Sequence, residues 1–130
     1  MDKVVHFEIP AENVERAKKF YSSIFNWNIA DVPPEFGVGY SLVHTGEVDE
    51  KQMPKESGAI NGGMFKRADD LKNPVIIINV EDVDDSMEKI KGAGGVIVRE
   101  KRKVGDMGYV AYFKDTEGNV LGVWENAKKE

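Results

Sequence analysis

The sequence predicts an α+β fold, made of two tandem copies of a β-α-β-β-β unit in a single domain. The length of 130 residues suits one domain with a closed hydrophobic core. Each half of the chain shows a β-branched run, a stretch with helical apolar spacing, and three further strand patterns. A shift of 69 residues places Glu12 on Glu81 and Val14 on Val83, so the helix starts coincide. We therefore expect one domain over residues 1–130, with modules at about 1–68 and 72–127.

The first half begins with a predicted strand over Val4–Ile9, which we expect Pro10 to end. Asn13 is a suitable N-cap for a helix. Polar residues dominate Thr45–Ser57, which we interpret as a mobile loop or lid whose role stays open. The apolar side of the helix and the three following strands are predicted at these positions: Val14, Ala17, Phe20, Tyr21 and Ile24, then Trp27–Ala30, Tyr40–His44 and Ala59–Phe65.

The second half repeats this order. Asp82 can cap a helix, whose inner side is predicted from Val83, Met87 and Ile90. The glycines of residues 92–95 are expected to end it. The strands are predicted at these positions: Val75–Val80, Val96–Val98, Tyr109–Phe113 and Val120–Trp124, with a hairpin turn at Asp115–Asn119.

Composition narrows the classes of function. The formal net charge is −5 and no basic stripe is present, which argues against a nucleic-acid partner. No apolar run approaches the roughly 18 residues of a membrane span. The chain has no cysteine, so disulfides, thiolate metal sites and cysteine nucleophiles are excluded. We expect a cytoplasmic protein with no membrane partner.

Motifs at both ends of the chain carry a family resemblance. The first comprises Val5–Pro10, then Glu15–Tyr21 leading to Phe25–Trp27, and the second is Tyr112–Asn119, with Thr116 where the family usually has proline. With the duplicated unit, these motifs resemble the vicinal oxygen chelate superfamily of glyoxalase I, bleomycin resistance proteins and extradiol dioxygenases. The segment Ile60–Lys66 is similar to a glyoxalase-related branch of unassigned activity.

The resemblance implies a partly open, eight-stranded barrel-like sheet with a ligand, often held by a divalent metal, inside it. Family metal enzymes carry donors on the first, fourth, fifth and eighth strands. Here His6 stands at the first position, Gly62 or Gly63 at the fourth-strand position, Val75 at the fifth and Gly122 at the eighth. Because only one donor of four is present, we expect no cofactor and assign no metal ligands.

Glu8 is two residues after His6, so both side chains should lie on one face of the strand. Glu8 is our candidate catalytic residue, as a general base, although it could instead orient His6 or bind a cationic group. His6 fits either a hydrogen-bonded interior histidine or a ligand contact. A divalent metal held by His6, Glu8 and a distant donor stays open as an alternative. Glu125 is interpreted as a solvated strand-end residue, pointing away from Gly122.

The remaining candidate ligand contacts are glycines and aromatic residues. Gly62, Gly63 and Gly122 leave room for a ligand, or else allow close backbone approach or sheet bulges. Tyr112 and Trp124 could supply aromatic walls, with core packing as the alternative. The predicted ligand-binding set is therefore His6, Glu8, Gly62, Gly63, Tyr112, Gly122 and Trp124.

These observations favour a glyoxalase- and bleomycin-resistance-like protein that binds a small organic molecule without the full metal site. The alternative is a metal-dependent lyase, isomerase or dioxygenase of the glyoxalase type. The resemblance also implies a homodimer, since relatives commonly pair modules across a two-fold interface. Whether the protein is an enzyme, and which ligand it takes, are left open by the sequence.

Overall fold

The computed structural model describes residues 1–34 and 39–128, which contain eight strands and two helices. The elements follow the order β-α-β-β-β twice, so the predicted α+β class and the duplicated order are confirmed. Their bounds are β1 Lys3–Ala11, α1 Val14–Phe25, β2 Asn28–Asp31, β3 Ser41–His44, β4 Gly62–Lys66, β5 Val75–Asn79, α2 Val83–Gly92, β6 Val96–Val104, β7 Gly108–Lys114 and β8 Val120–Asn126.

The chain forms two compact units, which we call modules. The first module is His6–Pro74, and the second is Val75–Glu130 together with Met1–Val5. Strands of the first module are ordered β2-β3-β4-β1, and those of the second β5-β8-β7-β6. In each, one pair is parallel (β1 with β4, β5 with β8) and the others are antiparallel. The two modules thus share one topology, whereas a single domain stays a prediction.

Helix α1 is capped as predicted, because the side chain of Asn13 accepts a 3.0 Å hydrogen bond from the backbone N–H of Arg16. Its inner side packs on a core of Ala11, Val43 and Met64. The contacting residues of the helix are Val14, Ala17 and Tyr21.

Two side chains expected on that inner side are instead exposed. Phe20 is 54% exposed and Ile24 is 56% exposed, so this part of the prediction is wrong. The stripe that reaches the core is narrower than the sequence suggested. Phe20 lies beside it and meets Tyr21 edge-on, with ring centroids 5.2 Å apart.

Helix α2 is capped from two directions. Asp82 accepts from the N–H of Asp85 at 2.9 Å, and Glu125 of β8 accepts from the N–H of Val83 at 2.8 Å. Glu125 is only 8% exposed, so its interpretation as a solvated residue is wrong. Its position on the α2 side agrees with side-chain alternation from Gly122, and a carboxylate there also suits the helix dipole. The predicted inner residues Val83 and Met87 are buried.

Several strand limits differ from the predictions. β1 continues through Pro10, which lies opposite Phe65, because the fixed φ of proline is compatible with an extended strand. β4 begins only at Gly62, and β6 runs on to Val104 with register shifts between Ile97 and Arg102. Within residues 1–34 and 39–128, neither helix has the length and apolar character that a membrane crossing requires.

Candidate functional site

The candidate site lies on the face of the first module's sheet that is turned away from α1. Phe7, Ile9 and Ala11 of β1 belong to the core beneath α1. Alternation along the strand therefore places His6 and Glu8 on the opposite face, as predicted. Glu8 is 4% exposed, so its carboxylate requires polar partners there.

Tyr40 connects the two predicted residues. Its hydroxyl donates a 2.7 Å hydrogen bond to Oε2 of Glu8 and lies 2.9 Å from Nε2 of His6. Because the phenolic proton is used on Glu8, the network assigns the second bond's proton to His6 Nε2. The resulting chain runs from imidazole N–H to phenol to carboxylate. We call His6, Tyr40 and Glu8 the polar triad.

Burial sets the charge state of the histidine. Removal from water lowers the pKa of His6 to about 4, because the charged imidazolium loses its hydration. The imidazole is therefore neutral near pH 7. A neutral ring can donate from Nε2 to Tyr40 and accept at Nδ1, so it suits a hydrogen-bonding role in the triad.

The two glycines of β4 serve different contacts. In the parallel ladder Gly62 lies opposite Phe7 and Gly63 lies opposite Glu8. A Cβ at Gly62 would lie 2.5 Å from the carbonyl oxygen of Phe7, so this glycine permits close strand packing. A Cβ at Gly63 would overlap the hydroxyl end of Tyr40. The space left by Gly63 is thus filled by the ring that completes the polar triad.

The predicted residues of the second module also share one sheet face. Tyr112 pairs with Gly122, and Val110 pairs with Trp124. All four positions therefore lie on the same face of the sheet. Tyr112 is 6% exposed, and the guanidinium of Arg99 lies 5.9 Å from its ring centroid.

Gly122 and Trp124 have their own local contacts on that face. A Cβ at Gly122 would come within 2.5 Å of Cδ1 of Ile77, so an apolar side chain fills that space. Trp124 is half-buried, and its indole N–H donates a 2.8 Å hydrogen bond to Asn126. Close packing therefore uses the room that the glycine leaves.

The donor set does not fit the metal site that the resemblance implies. Of the four positions, His6 is engaged with Tyr40, Gly62 or Gly63 has no side chain, Val75 is a 1% exposed apolar residue and Gly122 is packed against Ile77. Throughout the described parts of the chain, no group of three or more histidine or carboxylate side chains is arranged to hold an ion.

The second histidine of the chain lies elsewhere in the first module. His44 lines an open groove of about 420 Å³ beside the end of α1. Its other lining residues are Phe25, Asn26, Asn28, Thr45, Gly46, Glu47 and Val48. Because it is not part of the polar triad, His44 is a suitable reference for measurements on His6.

Sequence reasoning missed Tyr40 as a site residue. It lies 32 residues from Glu8 and directly before β3, where an aromatic residue looks like part of a strand. The one available signal was Gly63, since a side-chain-free position opposite a carboxylate leaves space for a bulky polar partner. Phe65 adds support, with its ring stacked 6.2 Å from that of Tyr40.

Comparisons with known proteins give several similar sequences. The chain is 32% identical over 113 residues to "Putative glyoxylase CFP32" of Mycobacterium tuberculosis, covering 84% of this chain and 40% of that protein. The chain thus spans less than half the length of this relative. It is 23% identical over 125 residues to a "Probable lactoylglutathione lyase" of Vibrio cholerae, covering 95% of this chain and 91% of the relative.

A solved structure supports the same fold. A variant of Streptomyces coelicolor methylmalonyl-CoA epimerase, in complex with 2-nitronate-propionyl-CoA, aligns with a TM-score of 0.67 at 15% identity, covering 97% of this chain and 98% of the epimerase. The model of the Glyoxalase/Bleomycin resistance protein/Dioxygenase superfamily matches residues 3–123. The chain therefore belongs to the Glyoxalase/Bleomycin resistance protein/Dioxygenase superfamily.

Proposed function

We propose that the protein binds a small organic molecule without a divalent metal, through the sheet face that carries the polar triad. The observation that supports this most strongly is the convergence of a buried carboxylate and a neutral imidazole on one phenolic hydroxyl. Convergent polar groups of this kind are typical of small-molecule sites. His6 and Glu8 are the proposed polar contacts, with Gly62 and Gly63 in the strand beside them.

For the second module we propose ligand contacts at Tyr112, Gly122 and Trp124. Their shared sheet face and the aromatic character of two of them support this. Glu8 is the proposed general base if the bound molecule reacts, because its carboxylate is held in place by Tyr40.

A thermal-shift screen of chelator-treated protein tests the binding function. The compounds are small metabolites and aromatic molecules, since the ligand is unidentified. We expect some of them to raise the melting temperature of the wild type, because a ligand that binds only the folded state stabilises it. The same compounds should lose their effect on Glu8→Gln and keep it on the control Glu12→Gln, which alters an exposed carboxylate. A complete lack of stabilising compounds would contradict the proposal.

A metal-dependent lyase, isomerase or dioxygenase is the second candidate. The name of the Vibrio cholerae relative and the convergence of His6 with Glu8 favour it. Elemental analysis of protein dialysed with nickel, zinc or manganese separates the two candidates. A protein with a tight metal site should retain about one equivalent of metal, whereas a protein without one should retain less than about a tenth of an equivalent. Retention of one equivalent that is lost in His6→Gln would select the metal-dependent enzyme.

We also propose a cytoplasmic homodimer. Exposed apolar side chains on α1, namely Phe20, Ile24 and Phe25, support self-association, because each is more than half exposed. The lack of cysteine is in keeping with a reducing compartment. Light scattering of the purified chain tests the pairing, and a monomer at every concentration would exclude it.

A further inference from the structure

We propose that the hydroxyl of Tyr40 takes the place of the divalent metal ion of metal-dependent members of this family. The first module would then offer its ligand a hydrogen-bonded phenol in place of a Lewis acid. The inference rests on the proposed function for its ligand, whereas its statement about metal binding is tested separately.

The first support is convergence on one atom. Nε2 of His6 and Oε2 of Glu8 are both ligand-type atoms, and they approach Oη of Tyr40 to 2.9 and 2.7 Å. A metal ion would have to stand near the same point, with bonds of about 2.0–2.2 Å to each. The hydroxyl and an ion therefore compete for one position.

The second support is the match of protons and lone pairs. A hydroxyl is both a donor and an acceptor, so it can accept from the imidazole N–H and donate to the carboxylate at once. A metal would instead require the lone pair of Nε2, which carries the hydrogen-bonded proton in the assigned network. The three side chains thus match as one hydrogen-bonded chain.

The third support is the side-chain-free position on β4. Gly63 lies directly opposite Glu8 and is one of the two positions, Gly62 or Gly63, where the resemblance implies a donor. Its missing side chain leaves the space that the Tyr40 ring occupies, and Phe65 on the same strand stacks on that ring. The absence of a side chain at Gly63 and the position of the phenol are therefore parts of one arrangement.

The arrangement also indicates the class of ligand. The oxygens of Glu8 and the hydroxyl of Tyr40 are hydrogen-bonding groups and not Lewis acids. They suit a molecule with a hydroxyl or amino group that can hydrogen-bond to Glu8 or Tyr40. A bound metal ion would favour ligands that chelate it through two adjacent oxygens, whereas this triad gives such ligands no advantage.

Equilibrium dialysis with Co²⁺ tests the inference, with binding at His6 defined as binding lost in His6→Gln and retained in His44→Gln. We expect the wild type to bind no Co²⁺ at His6. In the double variant Tyr40→Ala/Gly63→Glu the phenol is removed and a carboxylate is restored. We expect its affinity for Co²⁺ to rise by about tenfold or more, because three donors then surround the vacated point.

Two results would overturn the inference. One is Co²⁺ bound at His6 in the wild type, and the other is no gain in a double variant that circular dichroism shows to be folded. If the double variant does not fold, Tyr40→Ala alone replaces it, since it vacates the whole point between His6 and Glu8 and leaves Gly63 unchanged. That variant should gain measurable Co²⁺ binding at His6, and its failure to do so would count equally against the inference.

The outcome is separable from that of the proposed function. The ligand screen uses chelator-treated protein and no added ion. A wild type that binds neither Co²⁺ nor any compound would leave the role of Tyr40 standing and overturn the binding function. A wild type that binds compounds and also binds Co²⁺ at His6 would overturn the role of Tyr40 and leave the binding function standing.

Discussion

The hydroxyl of Tyr40 donates a 2.7 Å hydrogen bond to the carboxylate of Glu8, a side chain that is only 4% exposed. The two residues come from different parts of the first module, β1 and the segment before β3. Burying a carboxylate is costly unless donors compensate for the lost water, so this contact supports both the fold and the polar character of the site.

Removing the Tyr40 hydroxyl should destabilise the protein. In Tyr40→Phe the carboxylate of Glu8 and the N–H of His6 each lose a partner, and we expect the free energy of unfolding to fall by about 1–3 kcal/mol. Urea unfolding followed by circular dichroism measures the change. Tyr21→Phe is the matched control, because Tyr21 contributes its ring by stacking 5.2 Å from Trp27. Equal losses in both variants would show that the triad contributes nothing specific.

Gly63 and Tyr40 should be energetically coupled. A methyl group at Gly63 would displace the Tyr40 ring, so we expect Gly63→Ala to cost about 1–3 kcal/mol through the two broken hydrogen bonds. In a Tyr40→Ala background most of this cost should disappear, giving a coupling energy of about 1 kcal/mol or more. Gly62→Ala is the control, since its obstacle is the Phe7 carbonyl and the cost should persist in both backgrounds. Additive costs at Gly63 would refute the coupling.

His6 should make stability depend on pH. Its folded pKa, about 4, lies below the ordinary value of 6.5, so the unfolded state binds the proton more readily. The contribution of neutral His6 to the free energy of unfolding is therefore complete above about pH 6.5 and is lost progressively towards pH 4. At most about 3.5 kcal/mol of the unfolding free energy depends on this group, because the two pKa values differ by about 2.5 and each pKa unit corresponds to about 1.4 kcal/mol.

The difference in unfolding free energy between wild type and His6→Gln measures this term across pH 4–7. That difference should shrink as the pH falls, after subtraction of the His44→Gln profile, which corrects for the removal of a histidine as such. A histidine NMR titration gives the pKa directly. A His6 pKa near 6.5 would contradict the assigned burial effect.

Glu125 should stabilise the start of α2. We expect Glu125→Ala to lower the free energy of unfolding by about 1–2 kcal/mol, since the buried N–H of Val83 loses its acceptor. Glu125→Gln retains an amide oxygen and should cost less. Asp82→Ala, which removes the other cap of the same helix, is the comparison, and urea unfolding is the measurement. No loss in Glu125→Ala would mean that water replaces the carboxylate without penalty.

Local patterns were sufficient to predict the element order. Asn13 and Asp82 cap their helices as expected, because an N-cap is decided within four residues of chain. The shared face of His6 and Glu8 also followed from strand alternation alone. Limits that depend on pairing partners were predicted less well, as the continuation of β1 through Pro10 shows.

Contacts between distant segments account for what the sequence did not reveal. Nothing near Glu125 signals that it caps a helix beginning at Val83, since 42 residues separate them. Likewise, Tyr40 reaches His6 across 34 residues, and its role depends on the space above Gly63. Side-chain packing in three dimensions decides both roles. The apolar periodicity of the sequence does not reveal such long-range contacts.

The broadening of the His6 imidazole resonances by paramagnetic Mn²⁺ is the most direct test of the metal-free polar triad. The two histidines can be assigned with His44→Gln, and the ion is added to chelator-free wild-type protein. Tyr40 fills the point on which His6 and Glu8 converge. We therefore expect Mn²⁺ to broaden the His6 signals no more than it broadens the signals of His44. Selective broadening of His6 at one equivalent of Mn²⁺ would place an ion at the triad and contradict the account.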